Sequence, residues 1–366
     1  MIDLIEKVKG TGRVLKAHER HISAASMVGG FVFDSLTYGR VDHAITQIVL
    51  LAYLSMAAGS ILWLHFLESH PERAGNAAAR LCSFLPAATQ FAFGTLWSAF
   101  LVFYTRSGVL SASWPFFLVL LAIFVGNEVF KSYHARLIFT STLFAFALLS
   151  YAIFMVPVFT HTIGEETFVG SGVAAVLVYW LYLAALSMLG AERWRTVRKP
   201  VLFGAGGVLA AIYALYFLDV LPPLPLAMQQ ASVYDTVRHA GGAYYVTSEK
   251  QSWRIWVGAP TVVHVAPGGS VYAFAAIFAP VKLVTRVRHV WRHYDPDAKE
   301  WNTVETFSYA ISGGRAGGYR GYTRKSDPAP GRWHVDVETV DGRLIGRLRF
   351  KVESGAPAAL TKAVIR

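Results

Sequence analysis

Six long apolar runs constrain this sequence more than any other feature. They cover approximately residues 44–67, 82–104, 109–130, 137–160, 170–189 and 201–221. A helix needs about 20 apolar residues to cross the roughly 30 Å hydrocarbon layer of a membrane. It also satisfies its own backbone hydrogen bonds there, where water is absent. Residues up to 221 are therefore expected to form a bundle of transmembrane helices.

A seventh, shorter run at residues 22–38 decides the expected topology. With six spans, the Lys and Arg residues of the bundle divide almost evenly between the two sides of the membrane. If residues 22–38 also cross, thirteen of these Lys and Arg residues lie on one side, and only Arg40 and Arg106 lie on the other. Short cytoplasmic loops carry the excess of Lys and Arg. The sequence thus predicts seven spans, a cytoplasmic N-terminus and a C-terminal domain outside the cytoplasm.

The remaining segments complete a multi-domain architecture. Residues 1–20 are expected to form a cytoplasmic amphipathic segment, and residues 21–221 the seven-helix domain. The prolines of "LPPLPL" predict a linker at 222–241, with a short helix over 228–241. From 242 to 366, short aromatic and β-branched runs separated by turn residues predict an all-β antiparallel sandwich.

Charge is concentrated in this last domain, which holds most of the net +11 of the chain. Successive residues of a strand point to opposite faces of a sheet. In "VTRVRHVWRHY" this alternation puts Val287 and Trp291 on one face. The other face receives three arginines, namely Arg286, Arg288 and Arg292. The sandwich is therefore expected to have an apolar core and a strongly basic outer face.

The glycine-rich segment "SGGRAGGYRGYTRKSDPAPG", residues 312–331, is the second candidate binding surface. Arginine binds phosphates and carboxylates with two parallel hydrogen bonds, and tyrosine rings stack on sugars or guanidinium groups. The segment is interpreted either as a binding loop for anionic headgroups, glycans or an acidic protein surface, or as a solubilising connector. Its candidate residues are Arg315, Tyr319, Arg320, Tyr322, Arg324 and Lys325.

Other chemistry finds little support in the sequence. His289, His293, His334 and Asp336 match no metal-ligand spacing, so neither a metal site nor a cofactor is expected. No nucleophile elbow or phosphate loop is present, so an enzyme is not expected. Ionisable residues within spans are functional candidates by default. The polar candidates inside the membrane are Asp34, Asn127 and Glu128.

Two stretches of the C-terminal domain resemble a known family. "RHVWRHYD" and "GGYRGYTRKSDPAPGRWHVDVETVDGRLIGRLRFKV" are similar to the bacterial domain of unknown function 2914 (DUF2914), over about residues 275–352. Upstream pieces such as "GGFVFDSLTYGRVD" are similar to the membrane portion that precedes this domain. The resemblance implies membrane helices followed by an extracytoplasmic β-domain. It implies no activity and no functional residue.

The expected function is therefore non-enzymatic. We expect a multi-pass inner-membrane protein whose periplasmic β-sandwich binds an envelope component or a partner protein, alone or as an accessory subunit of a larger membrane complex. Membrane lipids, anionic headgroups, glycans and other envelope proteins are the expected partners, and nucleic acid is not. The alternative is a small-molecule or ion transporter or channel, with the sandwich as a docking or gating cap.

Overall fold

A computed structural model gives the positions of most of the chain. It describes residues 44–70, 76–107, 133–218, 221, 225–249, 261–315, 317–357 and 359–365. Five helices come first within these ranges. They are α1 (Ala44–Ser69), α2 (Asn76–Ser107), α3 (Tyr133–Thr160), α4 (Glu165–Leu189) and α5 (Ala191–Phe217). All five lie where the apolar runs predict them.

Four of the described helices are long and apolar enough to cross a membrane. These candidate spans are Ile45–Ser69, Leu137–Thr160, Glu165–Leu189 and Ala191–Phe217. Helix α2 covers the predicted span 82–104 but is not among the four. The predicted spans 22–38 and 109–130 lie outside the described residues. The structure thus supports an association with membranes, and the count of seven spans stays a prediction.

The chain divides into two compact units. One contains the described parts of residues 1–102, 120–151 and 175–209, and the other those of residues 103–119, 152–174 and 210–366. The first unit is helical and is held by close side-chain packing. Trp97 stacks on Phe146 with ring centroids 4.8 Å apart. Tyr182 and Ser141 share a hydrogen bond of 2.9 Å between α4 and α3. Gly204 leaves room for Thr142, whose Oγ1 would lie 2.3 Å from an added Cβ.

Eleven strands dominate the described part of the second unit. They are β1 (Ala227–Tyr234), β2 (Thr236–Ala240), β3 (Ala243–Glu249), β4 (Thr261–Val265), β5 (Ser270–Phe278), β6 (Val284–Asp295), β7 (Glu300–Ser312), β8 (Tyr319–Ser326), β9 (Gly331–Thr339), β10 (Leu344–Ser354) and β11 (Leu360–Ile365). They form three sheets with the orders β1-β5-β8, β4-β10-β9-β6-β7 and β11-β3-β2. The all-β character of this region is confirmed.

Two apolar cores hold these sheets together, and β5 contributes to both. Trp291, Val335 and Phe350 of the five-stranded sheet pack with Val271, Ala273, Ala275 and Ile277 of β5 in the larger core. Phe274 and Ala276, on the opposite face of β5, pack with Tyr234 and Val246 in the smaller core. Strand β5 is thus buried on both faces. This explains why its sequence is almost continuously apolar rather than alternating.

Two details of the predicted β-domain are wrong. The segment 222–241 is not a linker with a helix, because β1 and β2 occupy 227–240 and β1 pairs antiparallel with β5. Burial of Val233, Tyr234 and Val237 in the two cores outweighs the local helical pattern. The sheets are also not wholly antiparallel, since β4 pairs parallel with β10. That pairing follows from a long-range connection that turn residues do not reveal.

The hairpin between β9 and β10 docks on helix ends inside the second unit. Arg343, which is 7% exposed, donates a 2.9 Å hydrogen bond from Nη1 to the carbonyl of Tyr216. Its guanidinium lies 3.6 Å from the centroid of the Tyr216 ring, and Nη2 lies 3.9 Å from Glu165 Oε1. Tyr216 in turn stacks on Phe168 at 3.6 Å. The β-domain is therefore tied to the start of α4 and the end of α5.

Candidate functional site

The glycine-rich segment 312–331 is a strand along part of its length and not a single loop. Strand β8 runs antiparallel to β5, with Tyr322 opposite Phe274 and Arg324 opposite Tyr272. The prediction of one binding loop is wrong for this reason. The alternation of a strand sends neighbouring side chains to opposite faces, so the six candidate residues cannot form one surface.

The inward face of β8 takes two of the candidates. Tyr319 packs against the larger core. Lys325 donates from Nζ to Glu305 Oε2 of β7 at 3.0 Å. Between them lies Thr323, whose hydroxyl contacts His289 Nδ1 at 3.0 Å and accepts a 3.0 Å hydrogen bond from Trp291 Nε1. These side chains join β8 to the five-stranded sheet.

The outward face of β8 combines arginines with a cluster of tyrosines. We call Tyr244, Tyr272, Arg320, Tyr322 and Arg324 the tyrosine–arginine face. Tyr322 is 38% exposed, and its ring centroid lies 6.2 Å from that of Tyr244 and 6.1 Å from that of Tyr272. The Tyr244 hydroxyl donates to the Arg320 carbonyl at 3.1 Å. Arg324 is exposed and forms no ion pair with any described residue.

Arg315 extends this surface from the turn before β8. It is exposed, and its guanidinium lies 4.9 Å from the centroid of the Tyr319 ring. Burial raises the pKa of the Tyr244 hydroxyl, and the positive charges of Arg315 and Arg320 oppose that rise. The surface therefore offers positive charge and half-exposed aromatic rings side by side, which suits an anionic ligand.

The predicted basic face of β6 is largely neutralised by carboxylates. Arg288 Nη2 lies 3.3 Å from Glu338 Oε2, and Arg292 pairs with both Glu338 and Asp336. Arg347 of β10 binds Asp336 from the other side. Arg286, the third predicted member, is exposed and donates to Ser308 Oγ at 3.3 Å. The prediction of a strongly basic face at these three arginines is thus wrong for Arg288 and Arg292.

Asp336 is the centre of this paired face, and its side chain is 1% exposed. Burial by itself raises its pKa, but contacts with His334 and Arg347 outweigh burial and bring the pKa down to about 2. The pKa of Glu338 is raised, because burial outweighs the attraction of Arg292 and Arg288. Both oxygens of the Asp336 carboxylate are thus engaged by arginines, Oδ1 by Arg347 and Oδ2 by Arg347 and Arg292.

Comparisons with known proteins match the same strands. A family model described as "Protein of unknown function (DUF2914)" matches residues 284–352. The chain carries a DUF2914 domain. That domain runs from the start of β6 into β10, so it contains both sets of candidate arginines. Tyr244 and Tyr272 of the tyrosine–arginine face lie before it in the chain. No curated protein matches the chain.

Two solved structures are similar at low identity. An immunoglobulin-like protein from Pseudomonas aeruginosa is 15% identical, with 32% of this chain and 97% of that chain covered, at a TM-score of 0.19. The Pseudomonas fluorescens alkylpurine DNA glycosylase AlkC, bound to DNA containing an abasic site analog, is 12% identical. That match covers 85% of this chain and 100% of the glycosylase chain, at a TM-score of 0.21. Both scores are below 0.5, so neither likeness bears on the fold or function.

Several residues of the DUF2914 domain that the sequence did not single out lie beside its paired face. Trp301, Arg332 and Arg349 come from β7, β9 and β10. Their nearness depends on strand order and register, for which the sequence carries no direct signal. The membrane candidates Asp34, Asn127 and Glu128 lie outside the described residues, so their role stays a prediction.

Proposed function

We propose that this protein is a seven-span inner-membrane protein whose β-domain lies in the periplasm and binds an anionic envelope component or partner protein. The N-terminus would be cytoplasmic. The binding surface is the tyrosine–arginine face together with Arg315. The observation that carries the proposal is the exposed Arg324, which has no ion pair to a described residue and lies two positions after the half-exposed Tyr322 on the same face of β8. Arg315 is exposed as well, and its charge acts on the Tyr244 hydroxyl.

The distribution of charge at the helix ends supports this orientation. The connection between α3 and α4, residues 161–164, contains no Lys or Arg and leads into Glu165 and Glu166. The start of α5 carries the opposite charge, with Arg193, Arg195, Arg198 and Lys199. Positive residues mark the cytoplasmic side. Arg343 of the β-domain contacts Glu165 at the acidic end, which favours a periplasmic β-domain.

Thiol labelling tests the orientation directly. Lys362 of the last strand is exposed, and Arg198 lies on the proposed cytoplasmic side. In a Cys82→Ser background, Lys362→Cys should react with a membrane-impermeant maleimide in intact spheroplasts, whereas Arg198→Cys should react only after lysis. The reverse pattern would place the β-domain in the cytoplasm and overturn the proposed localisation.

Copurification tests the binding surface. Full-length protein is purified from its native membranes as wild type, as Arg315→Ala/Arg324→Ala, and as Arg238→Ala/Lys362→Ala, a control that removes two exposed charges from the sheet β11-β3-β2. Mass spectrometry of bound lipids, glycans and proteins should show an anionic component that the first variant loses and the control retains. Identical profiles for all three proteins would show that the tyrosine–arginine face does not bind.

A further inference from the structure

The outer face of the five-stranded sheet carries more arginines than its carboxylates can pair. Asp336 and Glu338 are engaged by Arg288, Arg292 and Arg347. Glu353 is engaged as well, with Lys351 Nζ 2.7 Å and His264 Nε2 3.5 Å from its carboxylate. These carboxylates do not pair with the other two arginines of this face, Arg332 and Arg349. Both are exposed, and Arg349 forms no ion pair within the described part of the chain.

Strand register brings these two arginines around one point. Arg349 of β10 lies opposite His334 of β9, and Arg332 lies two residues before His334 on the same face. Cross-strand neighbours on one face have their Cβ atoms about 5 Å apart. The His334 side chain is 4% exposed, and its Nε2, 3.4 Å from Asp336 Oδ2, has no hydrogen-bond partner among the described residues. His334 is therefore the floor of a small positively charged area.

An aromatic wall stands beside this area. Tyr294 and Trp301 pair across β6 and β7, with ring centroids 5.2 Å apart. The Trp301 ring also lies 4.1 Å from the ring of His334, and it remains 40% exposed. The Arg332 guanidinium lies 3.8 Å from the Tyr294 centroid, which holds it in a defined plane with N–H groups free at its edge.

Acidic groups lie at the far end of the same hairpin. Asp295 and Glu300 pair one position beyond Tyr294 and Trp301. The Asp295 carboxylate accepts hydrogen bonds from the backbone amides of Asp297 and Ala298, so it is held within the turn. An anion would consequently approach the Arg332 and Arg349 end of the wall and avoid the hairpin tip.

We propose that Tyr294, Trp301, Arg332, His334 and Arg349 form a binding site for an anionic sugar, one that carries a carboxylate or a phosphate. The C–H face of the sugar ring packs on Trp301, and the anionic group binds between Arg332 and Arg349. The aromatic wall distinguishes this site from a simple basic patch, because it selects a ring with an apolar C–H face in addition to a charge. The site lies on a different sheet from the tyrosine–arginine face and does not depend on the function proposed for it.

Calorimetric titration of the full-length protein in detergent tests this site. The probes are a galacturonate oligomer, a galactose oligomer of equal length as the uncharged match, and a phosphorylated hexose. We expect the two anionic sugars to bind and the neutral oligomer to bind at least tenfold more weakly. Equal binding of charged and neutral oligomers, or no binding of either anionic sugar, would overturn the proposal.

Variants locate the site once binding is measured. Arg349→Gln should weaken galacturonate binding at least tenfold and leave the weak binding of galactose unchanged, while Trp301→Ala should weaken both. Trp301→Phe, which keeps a flat ring, should restore most of the affinity and shows that loss in Trp301→Ala is not misfolding. Arg315→Ala/Arg324→Ala should bind like the wild type. If that variant loses galacturonate instead, the sugar binds at the tyrosine–arginine face and the present site is wrong.

Two sources could supply an anionic sugar, a soluble polysaccharide and the headgroup of a glycolipid. Vesicles that contain a phosphorylated glycolipid, compared with vesicles of phosphatidylglycerol alone, separate them. Binding to the glycolipid vesicles that Arg349→Gln abolishes identifies a headgroup site. Equal binding to both vesicle types would show recognition of charge without sugar, and that result contradicts the proposal.

Discussion

The arginines of β6 and those of β8 look alike in sequence and behave differently in the structure. On β6, Arg288 lies opposite Glu338 of the neighbouring β9. On β8, Arg320 and Arg324 lie opposite Ala276 and Tyr272 of β5, which have no charge to offer. Arg288 and Arg292 of β6 are engaged in internal ion pairs, whereas Arg324 of β8 is exposed and forms no ion pair with described residues. Whether an arginine is paired therefore depends on the residues of the neighbouring strand, and not only on the face of its own strand that it occupies.

The largest expected effect comes from removing the carboxylate that the β6 and β10 arginines share. Asp336→Ala removes a fully buried carboxylate. It leaves Arg347 without an ion-pair partner among the described residues and leaves Arg292 with Glu338 alone. Breaking such a pair typically destabilises a protein by about 3 kcal/mol or more. Denaturant unfolding of the β-domain, followed by tryptophan fluorescence in the full-length protein, measures the loss of unfolding free energy.

The control for that measurement is Glu353→Ala, because Glu353 is half-exposed and pairs with Lys351 at the surface. Because surface ion pairs contribute little to stability, it should lower the unfolding free energy far less than Asp336→Ala does. If Asp336→Ala were as mild as its control, the ion pairs of Asp336 with Arg292 and Arg347 would not stabilise the sheet. The arginines of β6 would then be available for binding.

A second test concerns His289, a buried residue that connects β6 to β8. His289 contacts Thr323 of β8 and lies 2.8 Å from the Tyr309 hydroxyl, and burial lowers its pKa to about 4. In the unfolded chain its pKa is about 6.5. The unfolded state therefore binds more protons between these values, and stability falls as the pH falls from 6.5 to 4, by up to about 3 kcal/mol.

His289→Gln removes that titration and keeps a polar side chain of similar length. The loss of thermal stability between pH 6.5 and 4 should be smaller in this variant than in the wild type. His293→Gln is the matched control, since His293 is only partly buried and follows on the same strand. An unchanged pH dependence in His289→Gln would mean that His289 is not the group that makes the link acid-sensitive.

These residues also show how far the sequence predicts the domain. Alternation correctly assigns Val287 and Trp291 to the core and predicts β-strands through most of residues 242–366. It fails at residues 227–240, where pairing with the distant β5 determines strand formation. It also fails to predict that Glu338 neutralises Arg288, because the two are fifty positions apart and meet only through register. The same limit hides the contact of Trp301 with His334 and the register that places Arg349 opposite His334.

A moderate effect is expected for one arginine of the paired face. Arg288→Gln removes an ion pair whose arginine side chain is 32% exposed, so solvent screening reduces its value to about 1 kcal/mol or less. Chemical denaturation should place this variant between Asp336→Ala and the wild type. A loss as large as that of Asp336→Ala would show that Glu338, and not Asp336, is the centre of these ion pairs.

The smallest expected effect on stability concerns an arginine of β8. Arg324→Ala removes an exposed charge that forms no ion pair with described residues, so the unfolding free energy should change by less than about 0.5 kcal/mol. Binding of an anionic component at the tyrosine–arginine face should fall nevertheless, because a hydrogen bond to a charged group contributes about 1.5–3 kcal/mol. Added salt should weaken wild-type binding for the same reason, since screening shortens the reach of exposed charges. The salt series should leave the denaturation midpoint of Arg324→Ala equal to that of the wild type at each concentration. A variant that lost stability and kept its binding would reverse the comparison, making Arg324 a structural residue of β8 in the way that Arg292 is of β6.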